Sequence, residues 1–384
     1  MKLNPRFFIF GYFGWFNVGD DAIGLSIVKE LKSRYSNATF ITTCNNRYFL
    51  ENFHGTNILQ DVETIGFEIS KILREIIKSD YFIIAGGTHF HDEGGLNFGR
   101  FKILFSFVML TCFARLSRKS PLLLGHGIGP LSSSWSKALV KLILYNSQKV
   151  FVRDKDSFKL VTSLGFRGKC VQGFDCAATL VEASATLGEV THHRPERRII
   201  GISLLPVYSI YLDEVEKDTN IVKSFARCLE SALLKDNSIY LRLFAFRTGM
   251  RHSDVPLLEV LMKDINVRPD AIELIHYDGD VNKFLSSIKA CNYCIGMRYH
   301  ASVFAYLLHK PQIILDYMGK CKSLGRDIAI DESAIIPIAD ILTPRFCDMI
   351  QSFLSNPKQY VANLPVHSAK MRAEKMFEKL GEKL

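Results

Sequence analysis

Three basic side chains in the last third of the chain have the types and spacing to bind one small dianion. Arg298 and His300 leave the apolar run Tyr293–Gly296 two residues apart, and Lys320 follows the next such run, Gln312–Leu315. Arginine offers a planar fork for phosphate or carboxylate. Histidine can hold or give a proton near neutral pH. Arg298, His300 and Lys320 converging from neighbouring strand ends would suit a doubly anionic ligand; the alternative is three separate structural roles. The first half offers a different set. Gly11-Tyr-Phe-Gly14-Trp-Phe-Asn17-Val-Gly19-Asp20-Asp21 joins an apolar run to a helical pattern. Its glycines let backbone approach a ligand, and a helix N-terminus brings unpaired N–H groups. The spacing is not Gly-x-Gly-x-x-Gly, so a dinucleotide site is not indicated. Asp20 and Asp21 are either a plain helix cap or a carboxylate that takes a hydroxyl proton.

Two further glycine-rich segments, Ala85-Gly86-Gly87-Thr88 and Gly125-His126-Gly127-Ile128-Gly129-Pro130, read as tight strand exits lining one edge of a cleft with backbone donors. Arg153, followed by Asp154, either fixes an anion or forms a local ion pair. His89, His91 and Asp92 lack a fourth ligand, so no metal is expected. Cys291 and Cys294 form a lone Cys-x-x-Cys and read as core thiols. Ser203 lacks the setting of a hydrolase elbow.

These residues need strands to present them. Short apolar runs alternate with helical patterns: Phe7–Phe10, Thr39–Cys44, Tyr81–Ala85, Pro121–Leu124, Val150–Arg153 and Cys170–Gln172, then Arg198–Leu204, Tyr240–Phe246, Glu273–His276, Tyr293–Gly296, Gln312–Leu315 and Ala334–Pro337. The runs are almost continuously apolar, as parallel strands covered on both faces are. About six strands per half predict an α/β protein with two doubly wound, Rossmann-like domains facing a cleft, and ligands beyond the carboxyl ends of the strands. The boundaries expected are 1–183 for the first domain, 184–197 for a linker, 198–350 for the second domain and 351–384 for C-terminal helices packed on the body.

A length of 384 residues suits two or three domains at about 150 residues each. Nine cysteines, an odd and scattered number, predict free thiols in a reducing compartment. The longest apolar run, 103–114, falls short of the ~20 residues a membrane span needs. No Asp or Glu occurs from Gly94 to Arg153, whereas that block carries nine Lys and Arg; the rest of the chain holds 39 of each sign, so the net charge of +9 sits in this block. Such an excess suits an anionic partner. Aromatic and basic residues are not interleaved as nucleic-acid binding would want. The segment 97–118 either rests on an anionic membrane or covers the sheet with charged ends.

Taken in order, Gly11–Asp21, Gly86-Gly87, Gly125–Pro130, Val152-Arg153-Asp154, Gly173-Phe174-Asp175, Gly296–His300 and Tyr317–Lys320 resemble the polysaccharide pyruvyl transferase family over roughly residues 7–340. The resemblance implies a GT-B-like fold, with the first domain as the acceptor side and the second as the donor side. It implies transfer of a pyruvyl group from phosphoenolpyruvate to a hydroxyl pair of a polysaccharide or lipid-linked saccharide, giving a ketal and phosphate, with no cofactor, in exopolysaccharide or cell-envelope synthesis. It carries over Arg298 and His300 as the Arg-x-His motif, Lys320 as the post-strand lysine and Arg153 as the Arg of Arg-Asp. His300 is then the general acid and Asp20 the assisting base. Gly14, Asn17, Gly19, Asp21, Gly86, Gly87, His126 and Gly127 line the substrate site. Thr88, Tyr299 and Met318-Gly319 depart from the pattern, which commonly has Gly, Leu and a Pro before the Lys. The expected partners are phosphoenolpyruvate and a sugar or lipid-linked oligosaccharide, with no nucleic acid, in the cytoplasm and peripherally at the inner face of the plasma membrane. Oligomeric state stays open. A GT-B nucleotide-sugar glycosyltransferase and a non-catalytic polysaccharide-assembly protein are the competing readings.

Overall fold

The computed structural model describes residues 4–45, 61–92, 97–181, 197–249 and 252–381. The chain forms two compact units. The first comprises Met1–Trp15, Gly19–Leu180 and His367–Leu384; the second comprises Phe16–Val18 and Val181–Val366. Each is built on one parallel sheet covered by helices, the Rossmann-like pair of a GT-B-like α/β protein.

In the first unit the strands are β1 (Arg6–Phe10), β2 (Thr39–Thr43), β3 (Val62–Ile65), β4 (Tyr81–Phe90), β5 (Leu122–Ile128), β6 (Lys149–Val152) and β7 (Lys169–Gln172), in the order β3-β2-β1-β4-β5-β6-β7. Phe7, Phe8 and Ile9 of β1 are wholly buried, because helices cover both faces of a parallel sheet. Phe8 stacks on Phe82 and Phe7 on Phe40 across neighbouring strands. Strand β3 was not anticipated. Its Val-Glu-Thr-Ile is short and only half buried, so it lacks the apolar run that marks a central strand. The second unit holds β8 (Arg198–Ser203), β9 (Ile239–Ala245), β10 (Ile272–His276), β11 (Tyr293–Gly296), β12 (Gln312–Asp316) and β13 (Ile335–Pro337), in the order β10-β9-β8-β11-β12-β13. Chain order reverses between β1 and β4 and between β8 and β11. Such switch points are where doubly wound sheets receive ligands.

Three expectations are corrected. The first concerns the thiols. Cys228, on helix Val215–Lys235, and Cys347, on helix Arg345–Ser355, are disulfide-bonded with Cα atoms 4.8 Å apart. The partners are 119 residues apart, and only the packing of their helices brings them within bonding range; the other seven cysteines are free. The second concerns the glycine segments. Strands β4 and β5 do not stop before their glycines but run on through them to Phe90 and Ile128. Thirdly, the C-terminal helices divide: Arg345–Ser355 belongs to the second unit, whereas the helix Val366–Gly381 packs in the first from His367 onward. The expected linker 184–197 lies outside the described residues except for Arg197.

Candidate active site

Arg298, His300 and Lys320 follow strands beside the switch point of the second sheet. β11 ends at Gly296, where a Cβ would lie 3.1 Å from Ala301 and Ser302. The missing side chain lets the helix Tyr299–Leu307 start close against the strand. Arg298 stands at its N-cap and His300 in its first turn. The His300 ring packs 5.8 Å from Phe304 and 5.3 Å from Tyr299. β12 runs beside β11 and ends at Asp316, and the helix Gly319–Asp327 follows. The Asp316 carboxylate accepts the Lys322 N–H at 3.1 Å, which fixes this turn. Lys320 begins that helix with its Nζ over the Tyr317 ring, 5.3 Å from the centroid. Two cationic side chains and two helix N-termini thus occupy neighbouring strand ends, a setting for an anion.

Arg298 does not hang free in this array. Its Nε donates to both oxygens of Asp254 at 3.1 and 3.2 Å, and Nη2 makes a further close ion pair with the same carboxylate. Nη2 also reaches the His252 carbonyl at 3.3 Å. Asp254 is fully buried and accepts the Arg247 N–H at 3.1 Å. Burial pushes the Asp254 carboxyl above its usual range, against the pull of Arg298. Burial also opposes the charge on Arg298, yet Asp254, with Tyr317 and Tyr211 behind it, holds the guanidinium above its ordinary value. Sequence reasoning missed Asp254. It precedes Val255-Pro256 at a helix start and so looks like a cap, but its side chain makes no cap bond. Asn17 also belongs to this unit, through a bridge to Arg247 and a Val18 N–H to Phe246 carbonyl bond of 3.0 Å.

The first unit places the remaining residues. Gly14, at φ 72°, donates its N–H to Asp21 at 2.9 Å, and Asp21 is fully buried. Asp21 therefore ties the loop after β1 to the helix Val18–Arg34, while Gly19 starts the turn of that helix. Asp20 is half-exposed. Burial, followed by the negative charge of Asp20, raises the Tyr12 hydroxyl above its usual range, and the Tyr12 ring lies 4.9 Å from His89.

Gly86, Gly87, His126 and Gly127 lie within paired strands, not at free strand exits. A Cβ on Gly86 would sit 2.2 Å from the Gly125 carbonyl oxygen, so this glycine lets β4 and β5 come together. His126 is wholly buried, with Nε2 3.1 Å from the Ile84 carbonyl and its ring stacked on Phe90. Burial first, then the neighbouring His89, lowers its pKa to about 3, so the imidazole is neutral. Gly127 leaves room for Arg153, whose Nε would be 2.9 Å from a Cβ there. Arg153 is buried and paired with Asp175 at 3.3 Å and Asp154 at 3.9 Å, and Nη2 donates to Thr88 Oγ1 at 2.8 Å. These contacts form a local ion pair. Thr88, where the family pattern has a third glycine, supplies an acceptor for that arginine.

Asp92 accepts the Ser132 and Ser133 N–H groups, each at 2.7 Å, which hold its carboxyl low in spite of burial. Among the described residues no group of three His, Cys, Asp or Glu side chains is arranged to hold a metal. Cys291 and Cys294 are free and buried, and burial pushes the Cys291 thiol up to about 12.

Two parallel sheets with these strand orders define an α/β protein of the GT-B-like fold class. The profile described as Polysaccharide pyruvyl transferase matches residues 17–318, and the chain belongs to that family. It is thus an enzyme that transfers pyruvyl groups in polysaccharide synthesis. None of the curated proteins is similar in sequence. Among solved structures the chain is similar to S. aureus MnaA bound to UDP, at TM-score 0.65 and 13% identity, over 97% of this chain and 94% of that one. It is also similar to UDP-GlcNAc 2-epimerases. That of Methanocaldococcus jannaschii matches at TM-score 0.65 and 11% identity, over 98% and 99% of the two chains. That of Neisseria meningitidis, bound to UDP-GlcNAc, matches at 0.61 and 13%, over 98% and 99%. At such identities the likeness is one of fold.

Proposed function

We propose that the pyruvyl donor is phosphoenolpyruvate and that the second unit binds it. The observation that carries this reading is the grouping of Arg298, His300 and Lys320 at the ends of neighbouring strands β11 and β12, with Arg298 held by buried Asp254. Phosphoenolpyruvate has one phosphate and one carboxylate, which call for two cations. Arg298 and Lys320 supply them. His300 gives its proton to the methylene carbon, leaving an oxocarbenium-like centre at the carbon that bears the phosphate oxygen. A sugar hydroxyl bonds to that carbon and gives its proton to the nitrogen left bare on His300. A second hydroxyl then attacks the same carbon, and its proton goes to the departing phosphate. The carbon–oxygen bond to phosphate breaks, the electron pair leaves with phosphate, and a cyclic ketal closes. Positioning and charge stabilisation supply most of the acceleration in such a scheme.

Binding of a ligand to the native state alone must raise the melting temperature. Phosphoenolpyruvate is expected to raise it for the wild type and for His300→Ala but not for Lys320→Ala. His300→Ala should show no turnover. Stabilisation by a nucleotide-sugar and none by phosphoenolpyruvate would overturn the reading in favour of a glycosyltransferase.

A further inference from the structure

The helix Phe98–Leu116 has apolar side chains on two faces. Leu104, Phe107, Val108, Leu110 and Ala114 pack on the first sheet. The opposite side leaves Phe98 79%, Phe105 45%, Met109 55% and Leu116 85% exposed, spaced at one side of the helix as 98, 105, 109 and 116. The helix Ser134–Asn146 packs alongside, and Arg115 joins the two by donating to the Tyr145 carbonyl at 2.8 Å with its guanidinium over the Tyr145 ring. It adds Trp135, 69% exposed, with Leu142 and Tyr145. Between Phe98–Leu116 and the helix Ile69–Lys78 opens an apolar groove of about 500 Å³, lined by Ile69, Leu73, Phe105, Met109 and Phe113, with the Lys102 side chain among them. So much contiguous apolar surface on one face marks a place of contact.

The charges say what kind. Of the nine basic residues in 94–153, Lys149 and Arg153 are consumed inside the unit: Lys149 donates to the carbonyls of Lys379 and Leu380, and Arg153 is ion-paired. The other seven, Arg100, Lys102, Arg115, Arg118, Lys119, Lys137 and Lys141, lie along these two helices or just past the first, and the segment itself carries no acid. Glu68, just before the helix Ile69–Lys78, is paired with Lys71 at 2.9 Å. A second copy docking by the same face would set these cations against themselves, because a two-fold contact is self-complementary. An anionic lipid surface meets both properties at once. Among the described residues no helix is long and apolar enough to cross a membrane, so contact would lie in the interfacial layer.

We infer that the outer face of helices Phe98–Leu116 and Ser134–Asn146 is a docking surface for an anionic bilayer, with a lipid hydrocarbon chain entering the groove beside Lys102. The inference stands on this surface alone and not on the donor chemistry. The groove is also lined by Tyr12, the residue that adjoins Asp20 and His89. A lipid-borne acceptor seated there would bring its sugar to the acceptor-side residues.

Flotation of the full chain with vesicles of phosphatidylcholine alone, and of phosphatidylcholine with phosphatidylglycerol, tests this. The chain is expected to float with the anionic vesicles, to be released as salt rises, and to stay down with the neutral ones. Lys137→Glu with Lys141→Glu should weaken binding by about fivefold or more per residue. Phe105→Asp and Trp135→Asp should abolish it at an unchanged melting temperature, since both side chains are exposed. Equal flotation with both vesicle types, or variants that float as the wild type does, would overturn it. So would a dimer in solution that Trp135→Asp dissociates, which would assign the face to a second copy. Thermal stabilisation by phosphoenolpyruvate is read without lipid, so failure of the donor reading and failure of this one are separate results.

Discussion

In the proposed donor site Arg298 aims at the ligand only while Asp254 holds it, and that dependence is measurable at the residue scale. Arg298→Ala leaves a fully buried carboxylate without its main cation, and a broken buried pair costs about 3–5 kcal/mol. The activity loss of that variant thus mixes chemistry with stability. Replacing both partners by apolar residues, Arg298→Met with Asp254→Leu, should recover most of the unfolding free energy while turnover stays absent. Denaturant unfolding of the single and double variants checks this; equal losses in both would mean that the two residues do not act as a pair. His126 gives a pH dependence of definite sign. Its folded pKa, about 3, lies below the ordinary 6.5, so the unfolded chain binds the proton more readily. Its contribution is complete above pH 6.5 and is lost as pH falls toward 3, by on the order of 5 kcal/mol in all. His126→Phe, which has nothing to protonate, should flatten the acid limb of the stability curve relative to wild type. Identical limbs would assign the acid sensitivity to other groups.

At the scale of the element, the alternation of apolar runs and helical patterns was enough to foresee two parallel sheets, and the basic residues after β11 and β12 were legible because they follow unmistakable strands. The residues that failed to read correctly did so for physical reasons. Glycine at a strand end and glycine inside a strand look alike in sequence. Only the 2.2 Å approach of a Gly86 Cβ to the Gly125 carbonyl shows that the glycine serves a close backbone contact. Asp254 lies 44 residues before Arg298, and no local pattern announces such a pair. The partners of Arg153 are as remote in sequence: Thr88 comes from within β4 and Asp175 from beyond β7. Gly86→Ala then tests the strand reading. The obstacle is backbone and cannot turn aside, so overpacking should cost about 3 kcal/mol or more. The melting temperature of the full chain decides it: a drop of several degrees is expected, and an unchanged value would mean that β4 and β5 are not packed this closely.

At the scale of the whole molecule, the last helix shows how a segment can be legible while its partner is not. An apolar stripe in Val366–Gly381 announces that one face is buried, but the stripe carries no address. The structure returns this helix to the first unit after the chain has built the second. Ala369, Ala373, Met376, Phe377 and Leu380 are buried there. Arg372 donates to the Gly173 carbonyl at 3.1 Å and lies over the Phe174 ring, and Lys149 reaches the helix's last carbonyls. Burying the three larger side chains is worth on the order of 6 kcal/mol, comparable to the whole stability of an ordinary domain. The first sheet should therefore depend on the last residues of the chain and the second should not. Met376→Ala with Phe377→Ala in the full chain is expected to cost the first unit several kcal/mol. Hydrogen exchange should then lose protection in β1, β6 and β7 while β8, β9 and β11 keep theirs. Loss spread evenly over both sheets would show that the two units unfold as one cooperative body, and loss confined to the helix itself would show that the first sheet stands without it.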